Sequence, residues 1–166
     1  IYGRRVSRDF VRRLHEVCER LRMEPNHLMA IMHYETGGSY RPSIRNPYTR
    51  AVGLIQFLPS TARRLGTTAE ALSELSAEDQ LEWVERYLSH FTGRLNTLED
   101  AYMAVLYPIA VGREEDYVLF RRGSASYARN PYLDRDDDGI VTKSEVGVAV
   151  RRVYDHGFNE LESGRL

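Results

Sequence analysis

The sequence predicts an all-α fold, on three observations. Apolar residues recur at helical spacing through most of the 166 residues. Ser, Thr or Pro punctuates the start of several of these runs, as helix N-termini prefer. No segment alternates apolar and polar residues over the length of a strand.

The elements follow in order. Val6 to Leu21 carries Phe10, Val11, Leu14, Val17, Cys18 and Leu21 on one stripe, with arginines and acids outside it. Pro25 stands at the first position of a second helix, which ends at Glu35. Residues 37–50 hold two glycines and two prolines and read as an irregular loop. Ser60 to Leu65 is a short helix closed by Gly66, and Thr68 caps another through Leu72. Ser76 opens an amphipathic helix reaching about Phe91, with Leu81, Val84, Tyr87 and Leu88 inside. Thr97 to Asp100 looks like a capping box for a helix through Val105. Residues 111–122 carry no clear period. Asn130-Pro131 disfavours a helix there, and a last helix runs from about Thr142 to Tyr154.

Length and composition suit one domain over 1–166, large enough for a hydrophobic core. A net charge of −1 gives no field that would steer the chain to nucleic acid. No apolar run approaches the ~18 residues of a membrane span. The arginines Arg4, Arg5, Arg8, Arg12 and Arg13 read as the solvated face of a helix, and Lys143 is the one lysine. Cys18 lies on an apolar stripe and reads as a buried structural thiol. The start at Ile1 is expected of an excised domain of a larger polypeptide or delivery machine, or of a processed or trimmed product. The five histidines have no zinc spacing and read as structural.

Glu35 is the candidate catalytic residue. It ends the apolar stretch His27 to Glu35 and is followed by Thr36-Gly37-Gly38, a sharp turn. A carboxyl in apolar surroundings is held partly protonated near neutral pH, and the negative end of the helix dipole acts the same way. Eighteen residues on, Gly53-Leu54-Ile55-Gln56 offers a backbone that can approach a flat sugar, with an amide to bond it.

These blocks in this order, with Pro59-Ser60-Thr61-Ala62 behind them, resemble the catalytic region of the soluble lytic transglycosylases and goose-type lysozymes, over roughly residues 20–112. The resemblance implies a lysozyme-like fold with a substrate cleft. It implies cleavage of the β-1,4 bond between N-acetylmuramic acid and N-acetylglucosamine of peptidoglycan, with Glu35 as the single acid/base and 1,6-anhydro products. The alternatives are a hydrolytic lysozyme at the same bond and a non-catalytic, calcium-dependent glycan-binding module. Thr36, Gly53, Ile55, Gln56, Tyr102 and Tyr107 are the implied substrate-site residues, with Tyr102 or Tyr107 hydrogen-bonding the catalytic carboxyl. Thr36 stands where Ser is common and Ile55 where Met is usual. Ala101-Tyr102-Met103-Ala104-Val105 lacks the Asn and Gly of the family's third block. The implied partner is the peptidoglycan glycan strand, with no nucleic acid and no membrane insertion. The site of action is the periplasm or the extracellular cell wall, reached by phage or by secretion.

Asp134 to Glu145 matches the twelve-residue EF-hand calcium loop position by position. Asp134, Asp136 and Asp138 supply side-chain oxygens, Ile140 a backbone carbonyl, Thr142 a direct or water-borne contact, and Glu145 a bidentate closure. A single loop without a regular entering helix implies structural calcium, anchoring a C-terminal unit over 134–156. A competing reading of part of this segment is an acidic turn followed by a capping box from Thr142 to Glu145.

Overall fold

The computed structural model describes residues 1–162. Eight helices and one small sheet are found among them: α1 (Arg8–Leu21), α2 (Pro25–Glu35), α3 (Pro59–Arg64), α4 (Ala69–Glu74), α5 (Ala77–Leu88), α6 (Leu98–Leu106), β1 (Val118–Arg121), α7 (Ala125–Arg129), β2 (Ile140–Thr142) and α8 (Lys143–Glu162).

The helix starts follow from side-chain capping. Ser7, Thr68, Ser76 and Thr97 each accept the backbone N–H three residues on, at the heads of α1, α4, α5 and α6. At α2, Glu24 plays that part and Pro25 pre-sets the first turn. Leu28, Met29, Ala30, Ile31 and Met32 are consecutive and all buried. A helix buried all round is a central one. Here α8 packs on α2 and α6, while α1 packs on α5.

The fold is mainly helical, and the sequence expectation needs two corrections. Val118–Arg121 pairs antiparallel with Ile140–Thr142, with an irregularity in register between Val118 and Phe120. Strands of four and three residues are too short to show a period. Val141 is fully buried while Arg121 is exposed, so tertiary packing rather than local pattern makes this hairpin. The final helix also runs on past Tyr154 to Glu162.

Two buried polar residues pin the frame. Gln80 is fully buried in α5. Its Oε1 accepts the N–H of Leu54 at 2.7 Å, and its Nε2 donates to the carbonyls of Leu72 at 2.7 Å and Pro42 at 3.2 Å. The Gly53 turn is thereby seated on α5. Gly53 has φ +81°, and an added Cβ would collide with the Gln80 carboxamide. The second is Lys143, 2% exposed, which donates to Asp100 Oδ1 at 2.9 Å and to the Arg113 carbonyl at 2.7 Å. Burial opposes both charges, yet the pairing holds Asp100 below and Lys143 above their ordinary values.

Gln80→Leu strips the buried Leu54 N–H and the part-buried Pro42 carbonyl of this partner and leaves the Leu72 carbonyl only the Leu75 N–H at 3.4 Å, and should cost about 3 kcal/mol in urea unfolding at neutral pH. Gly53→Ala should cost about 2 kcal/mol or more, through strain at positive φ and displacement of Gln80. Losses under about 0.5 kcal/mol at both positions would mean that the turn is not held from α5.

Candidate active site

Glu35 is the last residue of α2, half-buried, and Thr36 behind it is 1% exposed. The turn forms because Gly37 and Gly38 take positive φ, and Gly38 lies against the His33 ring. Among the described residues, no side chain ion-pairs or hydrogen-bonds the Glu35 carboxyl. Burial therefore acts unopposed and pushes it up to about 7.

Tyr34 and Tyr102 are the aromatic neighbours. Their rings meet edge to face with centroids 5.7 Å apart. Burial raises both phenols, first by desolvation and next by the Glu35 charge, Tyr102 well above its usual range. Tyr102 is 4% exposed and Tyr34 37%. Tyr102 is thus beside the carboxyl without bonding it, and Tyr107 instead packs edge-on to Phe120 at 5.3 Å.

The Gly53–Gln56 segment makes a second part of the site. Gln56 has φ +52°, and its Nε2 turns back onto the Gly53 carbonyl at 3.0 Å. Its oxygen stays uncommitted among the described residues. Gln56 borders a groove of about 280 Å³ lined also by Thr61, Arg64, Tyr87, Val105 and Leu106. Tyr102 and Leu106 lie four residues apart on α6, so one helix face carries the ring beside Glu35 and the wall of this groove.

Three of the expected substrate-site residues, Thr36, Ile55 and Gly53, are engaged within the protein. The Thr36 hydroxyl donates to the Met32 carbonyl at 2.6 Å and accepts the Tyr40 N–H at 3.0 Å, so it closes the helix rather than facing a ligand. Ile55 is 2% exposed and fills the core under the turn. Gly53, buried on Gln80, shapes the turn rather than meeting solvent. His33 stacks on Tyr2 at 3.9 Å and bonds Tyr40 at 3.2 Å, away from catalysis.

The acidic loop is brought together in part. One oxygen each of Asp134, Asp136 and Asp138 gather within 4.8 Å of one another. The Asp134 side chain is 1% exposed, and its Oδ1 is buried without a hydrogen-bond partner. Its Oδ2 accepts from Tyr127 and from the Gly139 N–H at 2.9 Å. Glu145 is outside the cluster: it accepts the backbone N–H groups of Arg135 at 2.9 Å and Thr142 at 2.8 Å. With Thr142 Oγ1 facing the Glu145 N–H at 3.4 Å, this is a reciprocal capping box. The Ile140 N–H is held by Asp138 at 2.7 Å.

Sequence reading missed Tyr34, Gln80 and the electrostatic influence of Tyr132 and Arg135 on Tyr34. Gln80 had a signal, since it falls on the buried stripe of α5 four residues before Val84. Tyr132 and Arg135 had none, being about a hundred positions from Glu35.

The raised Glu35 carboxyl has a stability consequence. A group that binds its proton more tightly folded than unfolded contributes most below its unfolded value near 4.5, and that contribution is lost as pH rises through about 7. Glu35→Gln should therefore be about as stable as the parent at pH ~4 and about 1–3 kcal/mol more stable at pH ~8, allowing for cleft water. Denaturant titrations at the two pH values read this directly, and equal stability at both would mean a solvated carboxylate.

The transglycosylase SLT domain matches residues 15–107, more than half of the chain, and leaves the acidic loop outside the matched span. No curated protein and no solved structure gave a match. On the family match, with a carboxyl raised toward neutrality at the end of a buried helix, the chain belongs to the transglycosylase SLT domain family, the lytic transglycosylases that act on peptidoglycan.

Proposed function

We propose that the chain cleaves the β-1,4 bond between N-acetylmuramic acid and N-acetylglucosamine with Glu35 as its only acid/base, releasing 1,6-anhydro ends. The observation that carries this is the Glu35 carboxyl raised to about 7 by burial alone, with no contribution from a neighbouring carboxylate. A two-carboxylate glycosidase needs a second acid across the bond. A single protonated carboxyl suits a reaction in which the substrate supplies the nucleophile.

In the first step the Glu35 proton passes to the glycosidic oxygen. The C1–O bond breaks, and the carbonyl oxygen of the substrate's own N-acetyl group closes on C1 from the opposite face. In the second step the Glu35 carboxylate takes the proton of the 6-hydroxyl, whose oxygen attacks C1 and reopens the ring formed by the acetamido group. Glu35 ends protonated, as it began, and no water is consumed. Burial around Glu35 keeps the carboxyl protonated for the first step. Gln56 offers an amide oxygen at the groove, and Tyr34 a partly exposed ring next to Glu35 in the chain, for the sugars. Water taking the place of the 6-hydroxyl would make the same site a lysozyme.

The acidic loop is proposed to hold calcium. The support is a buried Asp134 oxygen with no protein partner, together with the gathering of one oxygen each from Asp134, Asp136 and Asp138 within 4.8 Å. Asp134, Asp136 and Asp138 would be the first ligands, with the Ile140 carbonyl, Thr142 and Glu145 completing the set. Bound calcium would supply charge that offsets these carboxylates. No described helix is long and apolar enough to cross a membrane. Action in the cell wall, after export or phage delivery, fits the substrate.

Five outcomes are expected. Digested peptidoglycan should yield muropeptides lighter by one water in mass spectrometry, whereas ordinary reducing ends would make the enzyme a lysozyme. Glu35→Gln should lower cleavage at least about a hundredfold. Parent activity should fall on the alkaline side with an apparent pKa near 7, as the carboxyl ionises. Millimolar calcium should raise the melting temperature by several degrees, equivalent to about 2.7 kcal/mol at a hundredfold excess over Kd. Asp134→Ala should abolish that response, and an identical melting curve with and without calcium would rule the site out.

A further inference from the structure

We propose that Arg64, the last residue of α3, holds a carboxylate carried on the lactyl arm of a muramic acid lying in the groove bordered by Gln56. That carboxylate is the lactyl group's own, on sugars stripped of peptide, or one belonging to the peptide stem attached there. The inference rests on the peptidoglycan reading above and names the feature of that polymer which this groove would recognise.

The placement is geometric. Arg64, Gln56, Leu58, Thr61, Tyr87 and Leu106 line one groove of about 280 Å³. A chain of contacts joins it to the end of α2. Tyr34, next to Glu35 in sequence, meets the Tyr102 ring edge to face at 5.7 Å. Leu106 stands one turn farther along α6, on the face of Tyr102, and forms part of the groove wall. The substrate is a polymer, so sugars on one side of the cut bond must lie along a surface continuous with Glu35. The groove is such a surface.

Its chemistry selects the ligand. Leu58 at the head of α3 and Leu106 at the end of α6 are both partly exposed and give it apolar flanks. The Tyr87 hydroxyl is spent on the Ala104 carbonyl at 2.8 Å. The Gln56 amide oxygen and the Arg64 guanidinium remain for a ligand. An N-acetylated sugar can donate to the first. The sugar ring carries nothing that ionises, so the second calls for charge on a substituent. In this polymer the lactyl arm of muramic acid bears that substituent. A guanidinium can grip a carboxylate there at two points.

The competing explanation is an arginine that merely ends a helix, where a cation is favoured. Two observations argue against it. The carbonyls at the end of α3 are already taken by backbone N–H groups: Leu65 bonds Thr61 and Ala62, Gly66 bonds Arg63, and Thr67 bonds Ala62, at 3.0–3.1 Å. The Arg64 side chain is therefore not used as a cap, and its one hydrogen bond among the described residues is a long one to the Thr61 hydroxyl, at 3.5 Å. Its fork also lacks an acid. Arg12, Arg13, Arg20 and Arg151 each meet a carboxylate at 2.6–2.8 Å, whereas Arg64 enters no ion pair among the described residues.

The test uses the Glu35→Gln protein, so that strands survive binding, and two pairs of soluble glycan strands. One pair carries peptide stems, with their carboxylates free or amidated. The other is stripped of stems, with the lactyl carboxylate free or amidated. Adding Arg64→Gln should weaken binding about tenfold for at least one free-carboxylate strand and leave its amidated partner nearly unchanged. The pair on which that difference falls identifies the carboxylate as the stem's or the lactyl group's. Arg64→Lys should recover part of the loss. Equal losses within both pairs would mark Arg64 as a structural residue, and no loss in either would overturn the proposal as well. Digestion by the parent separates the two readings. Parent cleavage without discrimination at Arg64 defeats this inference alone, whereas a parent that neither binds nor cleaves the strands defeats both.

Discussion

The buried pair between Lys143 and Asp100 is the contact on which the arrangement of the cleft depends. It joins the first residue of α8 to the first turn of α6, and through the Gly112 N–H and the Arg113 carbonyl it gathers the intervening loop as well. A second clamp lies along the same two helices, where Arg151 grips Glu99 through several bonds of 2.6–3.1 Å. Removing one partner of such a buried pair typically costs 3–5 kcal/mol, far more than an exposed pair contributes. The exposed pairs of Arg12 and Arg13 with Asp9 are of that weaker sort. The position of α6 is thus set from α8, and α6 in turn sets Tyr102 and the groove wall.

The catalytic carboxyl is a cost that this frame offsets. A Glu at the negative end of a helix, taken partly out of water, loses solvation and gains no cation. It persists because α2 is buried on every side and cannot rotate or fray without exposing Leu28, Ile31 and Met32. Thr36 and the two glycines then stop the helix so that the carboxyl stays at the edge of the core rather than within it. Rigidity and an unfavourable protonation equilibrium are two aspects of one local design.

Much of this was legible in the residues, for physical reasons that also mark where legibility ends. The helices declare themselves by stripes such as Phe10, Leu14, Val17 and Leu21, because burial on one face imposes a period. Glu35 is visible because a charge following an apolar run is locally unfavourable. Thr36 and Ile55 were misjudged: their chemistry suited a ligand, but the hydroxyl and the side chain are consumed by bonds and packing inside the protein. The hairpin of β1 and β2 depends on pairing across about twenty residues, which no local period reports. Lys143 offered a clue that composition concealed. In a chain that otherwise uses arginine for its cations, the one lysine is the buried one, where a compact ammonium can meet a carboxylate and a carbonyl in little space.

Cys18 sits on the buried stripe of α1, 1% exposed, and burial pushes its thiol up to about 12. Only the thiolate attacks disulfides or is readily oxidised, and at neutral pH a group of that acidity holds roughly one thiolate in a hundred thousand. The molecule therefore has no handle for thiol exchange while it is folded. Its lifetime in an oxidising medium is governed by how often α1 opens, which makes chemical durability and conformational stability the same quantity for this protein.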